Sequence, residues 1–589
     1  MALITFLVFA AIVVAVGLYK HLTSKPKIPK GLKPLPGPKG YPIIGSVPDV
    51  PEKNGFIKFA EWGKEYGPIY NCNLAGSNHV WISSDKIAKD LLAKRAAIYS
   101  ARPHIPALLD DNRTSAQYLP LLSNNDGWSR QRKFANAIMR EAEKANWHHY
   151  PELEAKRLLV ELLDDPSQYN HHLESFIARI TCRLAWGHSE PSNELKQRAR
   201  ELLIGVSPTG ALGNKLPFLM AMPDWMSPVK AWERRRAATE RRFFQMMEEQ
   251  VETEIKEKRA PPSWMRMAIE GGKEQWNFQY KDEGAYCVGM HGIAGALTIA
   301  APMQTFCLAM CYYPQYQHLV QEEIDRVCGD RMPQPSDRPN MPVLRAFIRE
   351  ALRWRPPVPT GIPHYLIQDD EYEGYHIPAG TTMHPLEWAI SRDPELYPDP
   401  EEFNPLRWLK PEYPTYKEPL TEFPTMFTGS TQAGYGRRLC MGSQVADEDM
   451  FIGIGSLAWL FHISKEDAKR NIMMNEKASI SEEELNTGLD EDSDASSEKS
   501  QEVKFDPTEV KAKKESKKEV KKDEMDPTLD YSILLIAKPL PFKFDLKVRK
   551  PERVEIVRRQ FEDGMEKGLY ESPKNYWGDN KGKLGWGKV

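Results

Sequence analysis

Apolar positions fall into four distinct patterns along this chain. Residues 2–19, ALITFLVFAAIVVAVGLY, run without a charge and with a single threonine. A helix needs about 20 residues to cross the hydrocarbon core of a bilayer, so residues 2–22 are predicted to form a transmembrane helix. No cation precedes the run, no small-x-small site follows it, and it exceeds the core of a cleaved signal peptide. Lys20, Lys25, Lys27, Lys30 and Lys33 come straight after. By the positive-inside rule they stay cytosolic, and everything downstream with them. The Asn-Arg-Thr sequon at Asn112 would then never meet a glycosyltransferase and reads as chance.

The second pattern is residues 285–313, AYCVGMHGIAGALTIAAPMQTFCLAMCYY, apolar nearly all round. It predicts a buried central helix. Its length also fits a second span, but Gly289, Gly292, Gly295 and Pro302 interrupt it and no basic flank follows. The third pattern is a helix from about residue 443 that grows more apolar toward its end, and strand-like runs over 530–549 around a proline turn, which predict a hairpin.

The fourth is polar. Residues 464–528 carry an acidic block, SEEELNTGLDEDSDASSEKS, then a basic one, KAKKESKKEVKKDE. Such a segment cannot offset the entropy of ordering and is expected to be a disordered insert. Proline-dense residues 23–45 suit a stiff hinge. The predicted organisation is an anchor (1–22), a hinge (23–45), one helix-dominated domain (46–550, holding the insert) and a charged tail (551–589).

Bulk composition narrows the partners. The 589 residues carry a net charge of −3, which gives no electrostatic reason to expect nucleic acid. Seven cysteines, at 72, 182, 287, 307, 311, 328 and 440, show no paired metal-ligand spacing and read as a reducing compartment. Six of them suit buried small hydrophobes.

Cys440 is different. In STQAGYGRRLCMGSQ (430–444) it follows a glycine-rich turn and two arginines and opens a helix. A helix N-terminus and Arg437 and Arg438 would favour its thiolate, and Gly434, Gly436 and Gly442 would let the backbone approach something flat. The expectation is a cofactor ligand.

GYGRRLCMG resembles the heme-ligand loop of the cytochrome P-450 superfamily, Phe-x-x-Gly-x-Arg-x-Cys-x-Gly: Gly436, Arg438, Cys440 and Gly442 match, whereas Ala433 stands at the aromatic position. Other landmarks of that family follow its order. FIREALRWRPPVP supplies Glu350 and Arg353, and FNPLRW supplies Arg407, the members of the family's buried Glu-Arg-Arg network. DGWSRQRKF places Trp128 and Arg132 where the family binds a heme propionate, and His364 falls at another propionate contact. The resemblance implies a mainly α fold with small β-sheets, a single large triangular prism. It implies heme b held by Cys440, with electrons from NADPH through a separate reductase, a cytochrome b5 as a second partner, and residence in the endoplasmic reticulum membrane.

Above the heme the family usually shows Ala/Gly-Gly-x-Asp/Glu-Thr-Thr. Here the chain reads Ala294-Gly295-Ala296-Leu297-Thr298-Ile299, which keeps Gly295 and Thr298 as expected catalytic residues and replaces the acid with Leu297. Three readings follow: water and Thr298 suffice for proton delivery in a monooxygenase; the enzyme rearranges a substrate that already carries activated oxygen; or the protein binds heme without catalysis. Residues 100–120 and the hairpin near 535–542 correspond to substrate-contacting regions of the family. The tryptophan-rich helix after Cys440 and the long insert look most like filamentous-fungal members, many of them in secondary metabolism; a catabolic hydroxylase of small aromatics is the alternative.

Overall fold

A computed structural model describes residues 28–42, 44–144, 149–418, 420, 431–466, 525–532 and 534–577. The expected anchor (1–22), the start of the hinge, most of the insert and the end of the tail lie outside the described residues.

Thirteen helices of at least twelve residues are described: α1 Gly55–Tyr66, α2 Asp126–Lys144, α3 His149–Asp164, α4 Tyr169–Trp186, α5 Ser192–Val206, α6 Pro228–Lys256, α7 Trp264–Trp276, α8 Glu283–Thr298, α9 Ala300–Tyr312, α10 Gln317–Cys328, α11 Pro342–Trp354, α12 Ser443–Leu460 and α13 Pro551–Glu566. Nine short strands form three sheets. β1 (Lys33–Pro34), β6 (Tyr375–Ile377) and β5 (Asp370–Tyr372) make one; β2 (Ile69–Leu74), β3 (Ser77–Ile82), β7 (Thr382–Pro385) and β4 (His364–Tyr365) make the second; β8 (Phe461–Lys465) and β9 (Phe544–Val548) make the third. The helix-rich architecture with small sheets is the expected one.

The core sits where α4, α8, α9 and α12 meet, each buried along most of its length, and α8, α9 and α12 apolar around most of their circumference. The predicted single helix over 285–313 is two. Pro302 has no N–H to offer the Thr298 carbonyl one turn back, and the helix breaks at Ile299. Glu283–Tyr312 is long and apolar enough to cross a membrane, but 83% of its most apolar stretch is buried inside the body, as a core helix would be.

Three expected boundaries move. The hinge is held to the body from Lys33 onward, because β1 pairs in parallel with β6 and the Pro36 carbonyl accepts from Asn71 N–H at 2.8 Å. The insert begins later than 464: Ser464 and Lys465 pair with Asp545 and Phe544, so β8 and β9 close the loop at its neck. It also ends earlier than 528, since the Pro527 carbonyl accepts from Arg355 Nε at 2.7 Å. The predicted hairpin is present as a tight bridge, Tyr531 to Pro539, that precedes β9.

The tail is not an appendage up to Trp577. α13 packs on α3, and buried Arg553 donates to Asp325, to the Gly329 carbonyl and to the Trp459 carbonyl. The sequon asparagine has a structural use. Asn112 is fully buried; its Oδ1 accepts from Ile105 N–H at 2.9 Å and its Nδ2 donates to the Pro103 and Leu121 carbonyls.

Candidate active site

The loop before α12 folds by short-range necessity. Cys440 N–H donates to the Ala433 carbonyl at 2.8 Å, closing a turn whose middle is the single tight coil Gly436–Arg438. Gly436 has φ +55°, and a Cβ there would stand 2.5 Å from the Leu92 carbonyl oxygen, so no other residue fits without displacement. At Gly442 the opposite holds: a Cβ would meet nothing within 4 Å. Thr431 and Gln432 anchor the loop's far side by donating to Glu387.

Cys440 is exposed, whereas the other six cysteines are buried. Yet protein surrounds its sulfur densely enough that burial pushes the thiol up, against the opposing pull of the Gly442 N–H and the Arg132 charge. The two facts together mean that the sulfur faces an internal space. Burial thus works against the thiolate that the helix N-terminus was expected to favour. Arg437 is exposed, and Arg438 turns away to donate to the Ser100 carbonyl (2.8 Å) and the Leu122 carbonyl (2.6 Å). The cation beside the sulfur is Arg132 from α2. A thiol of this kind gives up its proton when a metal binds it.

α2 starts where Asn125 Oδ1 accepts from Trp128 N–H at 2.9 Å, an N-cap that fixes the first turn. Trp128 and Arg132 then share one face. Arg132 Nη2 donates to the Leu439 carbonyl at 2.8 Å, and the Arg438 guanidinium lies 4.7 Å from the Trp128 ring centroid.

A third arginine joins them. Arg102 donates Nε to the Pro120 carbonyl at 2.9 Å and Nη1 to the Pro363 carbonyl at 2.5 Å. Burial pulls Arg438 down to about 8 and Arg102 to about 9, and each feels the repulsion of the neighbouring guanidiniums; Arg132 is lowered by burial as well. None of the three has a carboxylate partner among the described residues. His364 stands beside them, its Nδ1 donating to the Tyr99 carbonyl at 2.9 Å, and burial with the charges of Arg102 and Arg438 holds it neutral. Buried cations without counter-charge are costly, so this cluster is complete only with an anion. A group bearing two carboxylates and a thiolate-seeking metal fits the donors present.

α8 carries the predicted catalytic residues. Thr298 Oγ1 donates to the Ala294 carbonyl at 2.8 Å, which leaves the hydroxyl oxygen's lone pairs free. Ala294 is exposed although it lies mid-helix in the core.

The cytochrome P-450 family profile matches residues 35–487. The chain is a cytochrome P-450. It is 33% identical to the cytochrome P-450 monooxygenase virE of Hypocrea virens, over 73% of this chain and 79% of that one. It is 33% identical to cytochrome P-450 monooxygenase 58 of Postia placenta, over 74% and 82%. With ple1 of Rhodocybe pseudopiperita it shares 28% identity over 93% of this chain and 95% of that one. It is accordingly a monooxygenase of fungal type, and heme iron is the group the family implies for the site.

In this cytochrome P-450 the network behind the site is fully formed. Glu350, wholly buried, accepts from Arg353 Nε (2.9 Å) and Nη2 (2.7 Å), from Arg407 Nε (3.1 Å), from Trp408 Nε1 (3.1 Å) and from Asn404 N–H (2.9 Å). Arg353 and Arg407 spend their remaining N–H groups on carbonyls of residues 391–402, so the network pins an irregular segment that has no secondary structure to hold it.

Two positions sit differently from expectation. The absent Cβ of Gly295 points at Thr181 of α4, 3.0 Å from its Cγ2 and Oγ1. The glycine lets α8 approach α4 rather than opening a groove toward the thiol. Leu297 is buried in the core, off the open face. Sequence reasoning missed Arg102, which lay inside a segment assigned to substrate contact, where apolar and polar residues mix and nothing marks one arginine from the other.

Proposed function

We propose that this protein is a single-pass monooxygenase of the endoplasmic reticulum membrane. It takes electrons from NADPH through a partner reductase, with cytochrome b5 as an auxiliary donor, and oxidises a lipophilic small molecule in fungal secondary metabolism. Hydroxylation, single or repeated, is the reaction class. The observation that carries the reading is the clustering of Arg102, Arg132 and Arg438, with no carboxylate partner among the described residues, around Arg132, whose guanidinium stands beside the Cys440 loop.

When bound, a thiolate-ligated heme iron supplies dioxygen activation and the oxidising equivalents. The chain's own residues do the rest. Cys440 would hold the metal, and its turn, closed by the Ala433 carbonyl, fixes where the sulfur points. Arg102, Arg132 and Arg438 would hold the two carboxylates by charge-assisted hydrogen bonds, and Trp128 keeps Arg438 flat. Thr298, committed as a donor to Ala294, presents its oxygen as an acceptor and orders water beside α8. The Thr298 carbonyl, offered no N–H by Pro302, adds a second acceptor. No carboxylate lies on the open face of α8, so the final proton donor there is ordered water.

The test uses full-length protein in membranes. A reduced carbon-monoxide difference band of the thiolate type is expected, with oxygenated product formed only when NADPH, reductase and dioxygen are all supplied. Product from a peroxide substrate without them would overturn the monooxygenase reading in favour of a rearrangement. An unchanged product profile in Cys440→Ala would overturn both.

A further inference from the structure

Twelve of the sixteen residues of α8 are buried; the four that are not are His291, Ala294, Gly295 and Thr298. Their spacing of three, four and seven is one helical stripe. With Gly295 turned to α4, the open line runs from Thr298 through Ala294 to His291. Arg132 of α2, whose Nη2 donates to the Leu439 carbonyl next to Cys440, also acts on His291 through its charge, so the stripe lies on the side of α8 that α2 and the cysteine loop approach.

His291 is the stripe's second polar side chain, and its chemistry is determined. Its Nδ1 lies 2.6 Å from the Cys287 carbonyl oxygen. A carbonyl only accepts, so Nδ1 carries the hydrogen. Burial first, and the neighbouring Arg132 charge, favour the neutral ring over the bonus of the Cys287 contact. Nε2 therefore holds a lone pair. It makes no hydrogen bond among the described residues, and it is not sealed in the core as an orphaned atom. The ring is steadied from its other side by an edge contact with Trp264, centroids 5.9 Å apart. An acceptor that is oriented, neutral and unpaired in a mostly apolar wall is a recognition element: it rewards a donor and penalises its absence.

We propose that His291 Nε2 receives a hydrogen bond from a hydroxyl or N–H group of the substrate, and so selects molecules that carry such a donor. Seven residues of α-helix put His291 about 10 Å along the axis from Thr298, so the donor sits at roughly that distance from the oxidised position. The proposal rests on the heme reading of the site. It names a requirement that lipophilicity alone does not impose.

The probes are three iron-ligating azoles, titrated optically into purified heme-loaded full-length protein: phenylimidazole, its para-hydroxy derivative, and the methyl ether of that phenol. Each would bind the iron through the imidazole and carry its para substituent outward. The wild type is expected to bind the phenol about tenfold more tightly than the ether. His291→Phe is expected to remove that preference, His291→Gln to restore part of it through its amide oxygen, and phenylimidazole to bind all three proteins alike. Equal affinities for phenol and ether in the wild type, or a preference that survives in His291→Phe, would overturn the proposal. The wild-type comparison stands even if a variant fails to load heme. No reductase or dioxygen is needed, so absent turnover leaves the result intact, whereas absence of any azole shift would overturn the heme reading itself.

Discussion

The guanidinium of Arg438 rests on the indole of Trp128, 4.7 Å from its centroid, and that contact joins the loop before α12 to the first turn of α2. Arg438 is held there by two backbone carbonyls, Ser100 and Leu122, that only a planar fork reaches together. Arg438→Lys keeps the charge and loses the geometry. Its expected effect is a loss of heme retention of about tenfold, the scale of one desolvated cation–π contact of about 1–2 kcal/mol. The heme-to-protein absorbance ratio after purification, and the rate of heme transfer to an apo-acceptor, measure it. Retention equal to wild type would show that the contact is ornamental.

Glu350 is a carboxylate shared by two buried guanidiniums and an indole. Glu350→Ala leaves Arg353 and Arg407 charged, buried and unpaired, a change worth about 3–5 kcal/mol. The expected outcome is failure to accumulate folded protein, read as loss of both soluble yield and heme spectrum. Glu350→Gln retains the acceptor oxygen but not the charge, and should fall between the two in urea midpoint. Equal midpoints for wild type and Glu350→Ala would contradict the role given to this network.

Gly436→Ala probes the loop without touching a charge. The new Cβ would need φ +55° and would stand 2.5 Å from the Leu92 carbonyl. The loop must shift, at a cost on the order of 1–3 kcal/mol, and the sulfur shifts with it. The expected readout is a broadened or displaced carbon-monoxide band with only modest change in unfolding midpoint. Gly442→Ala, where a Cβ meets nothing, is the matched control and should leave the band in place.

Much of this site was legible because its parts are local. Trp128 and Arg132, and Glu350 and Arg353, lie one helical turn apart, and the glycine-cysteine turn is contiguous. What sequence could not give was direction. Arg437 and Arg438 are the cysteine's neighbours along the chain, but the tight turn sends one to solvent and the other to carbonyls, so the charge beside the sulfur comes from a different helix. Arg102 lies in a segment without periodicity, where no pattern marks a direction. Gly295 matched a motif yet faces α4, because helical phase cannot be read from a residue's identity. The tail was opaque for the same reason at longer range: its partners lie from 94 residues earlier, at Trp459, to more than 380 earlier, at Arg183 and His188.

That tail carries a clamp at Glu571 that should respond to pH. Glu571 accepts from His188 Nδ1 at 2.7 Å and from Ser189 N–H, and the other ring nitrogen of His188 lies 3.0 Å from Glu254. Burial alone would depress His188, but the bonds to Glu571 and Glu254 outweigh it and raise the ring to about 9. Burial likewise opposes ionisation of Glu571, and His188 with the Ser189 N–H brings it down to about 2. The surrounding charges are Arg183, which acts on Glu571, and Arg259, which pairs with Glu254 at 3.2 Å. Because His188 is raised, its contribution is fully present below its ordinary value of 6.5 and is lost as pH climbs through about 9. Because Glu571 is lowered, its contribution is present above 4.5 and is lost as pH falls through about 2. Glu571→Gln should therefore destabilise the protein at pH 7 by on the order of 2 kcal/mol, the worth of a part-buried hydrogen bond between charged groups. At pH 10 wild type and variant should unfold at nearly the same urea concentration. A gap that persists unchanged at pH 10 would mean that the Ser189 bonds, not the ion pair, fasten the tail.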